Sequence, residues 1–219
     1  MRRHNGVLAA VALACVSTTG VWAQAPPAPT QLPTGGQVVQ GAASISQSST
    51  AQAASMVVNQ SSARAVVDWG SFNVGANAQV RFNQPNAQSA TLNRVNDANP
   101  SQIFGRIESN GQVILSNANG VYFSPSSRLD MGALTATTHS IDAQAFMAGS
   151  NTFGRNGATG RVVNEGQIQT ALGGYVALLA PEVQNSGVIV ARAGTVALAS
   201  GEQITLNLNS QGGLAGITT

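Results

Sequence analysis

After Gly41 the chain alternates short apolar runs with clusters of Asn, Gly, Ser and Gln. "ASIS" from Ala43, "MVVNQ" from Met56, "RAVVDW" from Arg64, "AQVRF" from Ala78, "QVIL" from Gln112, "VYF" from Val121 and "QITLNL" from Gln203 set the rhythm. Each run is brief, β-branched or aromatic, and bounded by turn residues, which predicts strands rather than helices. The one helical candidate, Thr50 to Ser55, is too short and too poorly capped to form.

The runs repeat. "NEGQIQTALGGYVALLAP" from Asn164 and "NSGVIVARAGTVALASG" from Asn185 align as Asn-x-Gly-x-Ile followed by Gly-x-Val-Ala-Leu, their starts 21 residues apart. "SNGQVILSNANGVYF" from Ser109 repeats the Asn-Gly and apolar alternation more loosely. A period of this size built from short strands predicts a solenoid. The leucine frame of leucine-rich repeats is missing, so an all-β parallel β-helix is expected. Corners then fall at Gly and Asn, which tolerate positive φ, and an Asn at one corner can hydrogen-bond its copy on the next coil. About nine coils of ~21 residues would give a rod on the order of 40 Å long, at one strand spacing per coil. The open ends of such a rod require caps.

The beginning of the chain departs from this pattern. Arg2 and Arg3 precede an apolar stretch from Gly6 to Ala14, and small residues follow at "VWA" and "AQA". This is the layout of a secretory signal peptide, residues 1–23, cut after Ala23, with Ala25 the alternative. The apolar stretch is shorter than the roughly 20 residues that span a bilayer. Residues 24–36, "QAPPAPTQLPTGG", form a proline- and glycine-rich lead-in, and residues 37–219 the β-helical domain. The only cysteine, Cys15, lies in the leader within "ALAC", a poor lipid-attachment box. An exported chain without it has no thiol, and its stability must come from packing and backbone hydrogen bonds.

Charge narrows the function. Beyond residue 23 there are 8 arginines, no lysine and 8 acidic residues, whereas Asn and Gln number 18 each in the whole chain. A neutral balance implies no nucleic-acid partner. His139, with Ser140 beside it and Asp130 and Asp142 nearby, is the only histidine after the leader, and a Ser-His-Asp arrangement is not specified by sequence proximity. The acids from Glu108 onward never fall closer than 12 residues apart. A β-helical carbohydrate-active enzyme, the natural rival, would want clustered acids and a basic proton acceptor. The chain is therefore expected to be no enzyme, with no cofactor and no metal. A free-standing module presenting its faces to host or neighbouring-cell glycans is a further alternative.

Several stretches, in order along the chain, resemble the filamentous haemagglutinin N-terminal domain of two-partner secretion. They are "LPTGGQVVQG" (32–41), "ARAVVDWGSFNVG" (63–75), "VRFNQP" (80–85), "LNRV" (92–95), "IFGRIESNGQVILSNANGVYFSPSSRLDMGALTATT" (103–138) and "GGYVALLAPEVQNSGVIVARAGTVALASGEQITL" (173–206). The resemblance implies a right-handed parallel β-helix with an N-terminal cap. It also implies a partner, an outer-membrane β-barrel transporter whose periplasmic transport-associated domains recognise the domain, and a role at the head of an exported adhesin. The family's Asn-Pro-Asn-Gly motif falls on Asn117-Ala118-Asn119-Gly120, with alanine replacing proline. A second element falls on Asn93-Arg94-Val95. Asn93, Arg94, Asn117, Asn119 and Gly120 are thus the candidate recognition residues. Each also has an architectural reading: a β-helix corner for the turn, and for Arg94 a buried side chain satisfying loop carbonyls. Trp69 and Phe72 are expected to cap the first coils.

Overall fold

The computed structural model describes residues 24–219; the expected leader lies outside them. The chain opens with β1 (Gln37–Gln40), β2 (Ala43–Ser49) and β3 (Ala54–Gln60), and the turn between β2 and β3 occupies Thr50 to Ala53, where no helix forms. It then winds through β4 (Arg64–Trp69), β5 (Ala78–Asn83), β6 (Ala90–Val95), β7 (Ser101–Ile103), β8 (Arg106–Ser109), β9 (Gln112–Ser116), β10 (Val121–Phe123), β11 (Arg128–Met131) and β12 (Ala133–Thr137). A detour carries α1 (Ala143–Met147) and β13 (Thr152–Gly154). Winding resumes with β14 (Arg161–Asn164), β15 (Gln167–Thr170), β16 (Tyr175–Leu179), β17 (Glu182–Asn185), β18 (Val188–Ala191) and β19 (Thr195–Ala199), and β20 (Gln203–Leu208) and β21 (Leu214–Thr218) end the chain.

Three faces result. Face I is β1-β4-β6-β9-β12-β16-β19, face II is β7-β10-β14-β17, and face III is β2-β3-β5-β8-β11-β15-β18. Pairing is parallel along all three except at the start, where β1 runs antiparallel to β4 and β2 antiparallel to β3. Those two strands are the N-terminal cap of a parallel β-helix: they cover the first rung and leave no free parallel edge.

The repeat is visible in the register. Asn164 pairs with Asn185 and Ile168 with Ile189, each 21 positions on, while Val176 pairs with Val196, 20 positions on, because the second corner is one residue shorter. The looser copy from Ser109 does not share this frame. Its first Asn-Gly turns the chain from β8 into β9, whereas Asn185 ends β17 and Gly187 turns the chain into β18.

Seven strands stand on faces I and III, fewer than the nine coils expected. The difference has a physical origin. Residues 139–159 leave the stack, and β13, β20 and β21 form a separate antiparallel sheet. The apolar residues of this outer layer, including Phe146, Phe153, Ile204, Leu206 and Leu214, bury the outward side of face I at Val66, Leu92, Ile114, Tyr175 and Leu179. The middle strands of face I, β6, β9, β12 and β16, are therefore buried on both sides. The inward side of the face (Val67, Val113, Leu115, Leu134, Val176, Leu178) fills the bore with Phe82, Ile103, Phe123 and Ile168 from the other faces. Strands covered on both sides read as unbroken apolar runs, as in "YVALL".

The lead-in is not a free tether. Asn77 N–H donates to Pro29 O at 2.7 Å and Gly75 N–H to Gln31 O at 2.9 Å. Gln102 Nε2 donates to Gln24 Oε1 and Ala25 O. Residues 24–36 thus complete the first rung beside the poorly stranded start of face II. Trp69 and Phe72 are buried edge-to-face, with ring centroids 5.3 Å apart, and close that end of the bore.

Candidate functional site

The two candidate elements meet at one corner, where face I turns into face II. β6 and β9 are adjacent rungs with Arg94 opposite Ser116, so the chain leaves both strands at the same place. After β6 it runs through "NDANP" (96–100), and after β9 through Asn117-Ala118-Asn119-Gly120.

Side-chain amides stitch these loops together. Asn117 Nδ2 donates to Asn99 O and to Ser101 Oγ, each at 3.0 Å. Asn119 Nδ2 donates to Asp97 O at 2.7 Å. Asn117 is fully buried, whereas Ala118 and Asn119 are exposed at the tip. Alanine in place of proline does not open the turn. Asn119 N–H donates to Asn117 Oδ1 at 2.9 Å and Gly120 N–H to Asn117 O at 3.0 Å, so an Asx-turn supplies the constraint that a fixed proline φ would have given. Gly120 has φ of 122°, a region closed to side chains. On the next rung Gly160 lies flat against the turn, and a Cβ there would approach Ala118 O to 2.5 Å.

Asn93 and Arg94 occupy opposite sides of β6. Asn93 is buried in the bore, where it accepts from Trp69 Nε1 at 3.0 Å and donates to Ile114 O at 3.2 Å. Arg94 points outward and grips Asp68, its partner across the rung, through two bonds of 2.7 and 2.8 Å. The expectation that it satisfies loop carbonyls is corrected: its partner is a carboxylate, and the pair is partly solvent-exposed.

Below the corner on face II, Tyr122 O–H donates to Glu165 and packs edge-to-face on Phe104. Burial, then the hydrogen bond to Glu165 and its charge, push the phenol up to about 12. The residues that sequence reasoning missed are Asp97, Asn99, Ser101 and Gly160. The first two lie in an Asn-Asp-Pro cluster whose turn character was readable, but its contact with the next coil depends on the register of β6 against β9.

No triad assembles around His139. Its ring is buried with Nε2 2.8 Å from Gly201 O, Asp142 caps α1 through Ala145 N–H, and Ser140 Oγ faces Gly154 O. Among the described residues no three His, Cys, Asp or Glu side chains gather as metal ligands. None of their helices is long and apolar enough to cross a membrane.

A family model described as the TPS (two-partner secretion) secretion domain matches residues 30–218. A heme/hemopexin-binding protein of Haemophilus influenzae is 35% identical over 185 residues, covering 81% of this chain and 20% of that protein. The chain thus spans about a fifth of that relative's length. The crystal structure of the HMW1 secretion domain from Haemophilus influenzae superposes with a TM-score of 0.77 at 31% identity, over 85% of this chain and 49% of that one. The filamentous hemagglutinin secretion domain, at 22% identity and a TM-score of 0.52 over 79% of this chain and 64% of that one, shares the fold. The β-helical fold is therefore that of a two-partner secretion exoprotein domain, and the chain belongs to the TPS secretion domain family.

Proposed function

We propose that this domain is the export signal of its exoprotein. An outer-membrane β-barrel transporter engages it in the periplasm through transport-associated domains, and the corner formed by 93–101 and 117–120 is what they read. The observation that carries the reading is the convergence of two separated elements at one place. Asn119 and Ala118 stand exposed there, while Asn93, Asn117 and Gly120 hold the chain beneath them. The buried members position the contact; Asn119 makes it, with Arg94 presented on the adjacent rung.

Stacked rungs suit this task. Each coil contacts chiefly its neighbours, so folding can propagate from a coil already formed outside the pore. No disulfide ties the described residues, whose sequence contains no cysteine, so the chain stays threadable before it folds. The role proposed for the exoprotein is surface adhesion of the filamentous haemagglutinin kind. The alternative of a carbohydrate-active enzyme gains nothing from the site, since the polar groups at the corner are spent on turn and rung contacts.

The test is export itself. Co-expressed with its cognate barrel transporter, the protein is expected in the culture medium, and without the transporter in the periplasm. Retention in the periplasm despite the cognate transporter would refute the reading.

A further inference from the structure

Face III presents a column of outward side chains on successive rungs: Ser55, Gln79, Arg106, Arg128 and Gln167. Neighbouring rungs lie about 4.8 Å apart, so Arg106 and Arg128 stack like charge beside like charge, an arrangement that destabilises a sheet. Arg106 Nη1 pairs weakly with Glu108 Oε1 at 3.7 Å, and Arg81 holds the other oxygen of that carboxylate at 2.6 Å, so one carboxylate serves two arginines, while Arg128 makes no ion pair among the described residues. Arg128 donates to Pro125 O and Ser127 O, which carry no charge.

The pair lines a hollow of about 490 Å³ between the β2–β3 turn and the corner preceding β5. No carboxylate lines it, although residues 24–219 carry 8 arginines and 8 acidic residues. Asp130 stands in the neighbouring column and lines the hollow on the other side of the arginines. The remaining wall is hydroxyl and amide, and the side chains of Ser48, Asn77 and Gln79 spend no hydrogen bond on the rest of the described chain. Two guanidinium forks with free amides and hydroxyls around them form an anion site with hydrogen-bonding walls.

We propose that this hollow binds the anionic group, carboxylate or sulfate ester, of an acidic oligosaccharide. The guanidinium groups take the charge, and the Ser, Asn and Gln side chains take the adjoining sugar hydroxyls. A protein partner fits less well, because the wall lacks the aromatic and large aliphatic anchors on which protein interfaces depend.

Isothermal titration of the purified protein with oligogalacturonate, an oligosaccharide of dextran sulfate and neutral dextran tests this. Binding of at least one acidic probe and none of the neutral one is expected; which acid binds identifies the group. Arg106→Gln/Arg128→Gln is expected to lower that affinity by about tenfold or more. Arg155→Gln, whose partner Glu202 lies by the outer sheet, is expected to leave it unchanged. Circular dichroism verifies that both variants fold. Three results would overturn the proposal: no binding of either acid, binding that survives the double variant, or equal loss with Arg155→Gln. A double variant that binds acid normally yet fails to be secreted would assign the face to the transporter instead. The titration needs no transporter, so its failure is separate from failure of the export reading.

Discussion

Asn117 and Asn119 are neighbours with different duties, and the difference is burial. Asn117 has no exposure; its amide donates to Asn99 O and to the buried Ser101 Oγ, and its oxygen accepts from Asn119 N–H. Replacing it with alanine leaves Asn99 O and Ser101 Oγ without that donor. Since a buried group left unpaired costs about 1–3 kcal/mol, Asn117→Ala is expected to lower the unfolding free energy by that amount in a urea titration. The two tyrosines give a second expectation. Burial raises Tyr175, and burial with Glu165 raises Tyr122 to about 12. An unfolded chain releases tyrosine protons near pH 10. The folded state therefore holds more protons between these values, and stability that is intact below about pH 10 falls as the pH rises towards about 12. Absorbance titration should show no phenolate near pH 10 until circular dichroism reports unfolding. Phenolate from both residues near pH 10 with the strands intact would contradict it. At this scale the sequence was informative about type and blind to partner. The amide corners and the apolar Trp69–Phe72 pair could be read from composition and spacing. The pairing of Arg94 with Asp68 could not, because two residues separated by a whole coil become neighbours only once the rungs are in register.

Among the elements, strands and repeat were legible because period and turn residues are local signals. Asn164 and Asn185, aligned in the sequence, pair and share a 2.7 Å hydrogen bond from Asn164 Nδ2 to Asn185 Oδ1. The outer layer was not legible. "QITLNL" reads as one more rung, yet β20 pairs antiparallel with β13 and β21 on the outside of face I. A strand's own pattern does not say which of two apolar surfaces it will cover, and face I needed covering on its outward side as well as in the bore. Helix α1 belongs to the same cover. Phe146 is fully buried there, with the Arg64 guanidinium 4.6 Å from its ring centre and an Arg64 Nη1 bond to its carbonyl. Phe146→Ala is expected to cost about 3–5 kcal/mol, the usual range for a core phenylalanine. Thermal unfolding checks this, and a loss within experimental error would show that the outer layer is decoration.

For the whole molecule, the first and last rungs contrast. The first is closed by β1, β2, the lead-in and Trp69, whereas on the last described rung Val196 and Leu198, in register with the bore residues Val176 and Leu178, are exposed. The corner proposed for recognition lies between them, on the third and fourth strands of face I. If the corner is what the transporter reads, recognition and folding draw on the same coils, and most substitutions at the corner would confound them. Asn119→Ala separates the two: its side chain is exposed, and its one bond, to Asp97 O, is worth about 1 kcal/mol or less. The decisive measurement is the ratio of Asn119→Ala protein in the medium to that in the periplasm, with the cognate transporter co-expressed and the stability of the purified variant measured alongside. A several-fold fall in secretion with stability preserved to within about 1 kcal/mol is expected if the corner is read by the transporter. Secretion at the level of the unmodified domain would reduce the corner to a turn that only holds the rungs together.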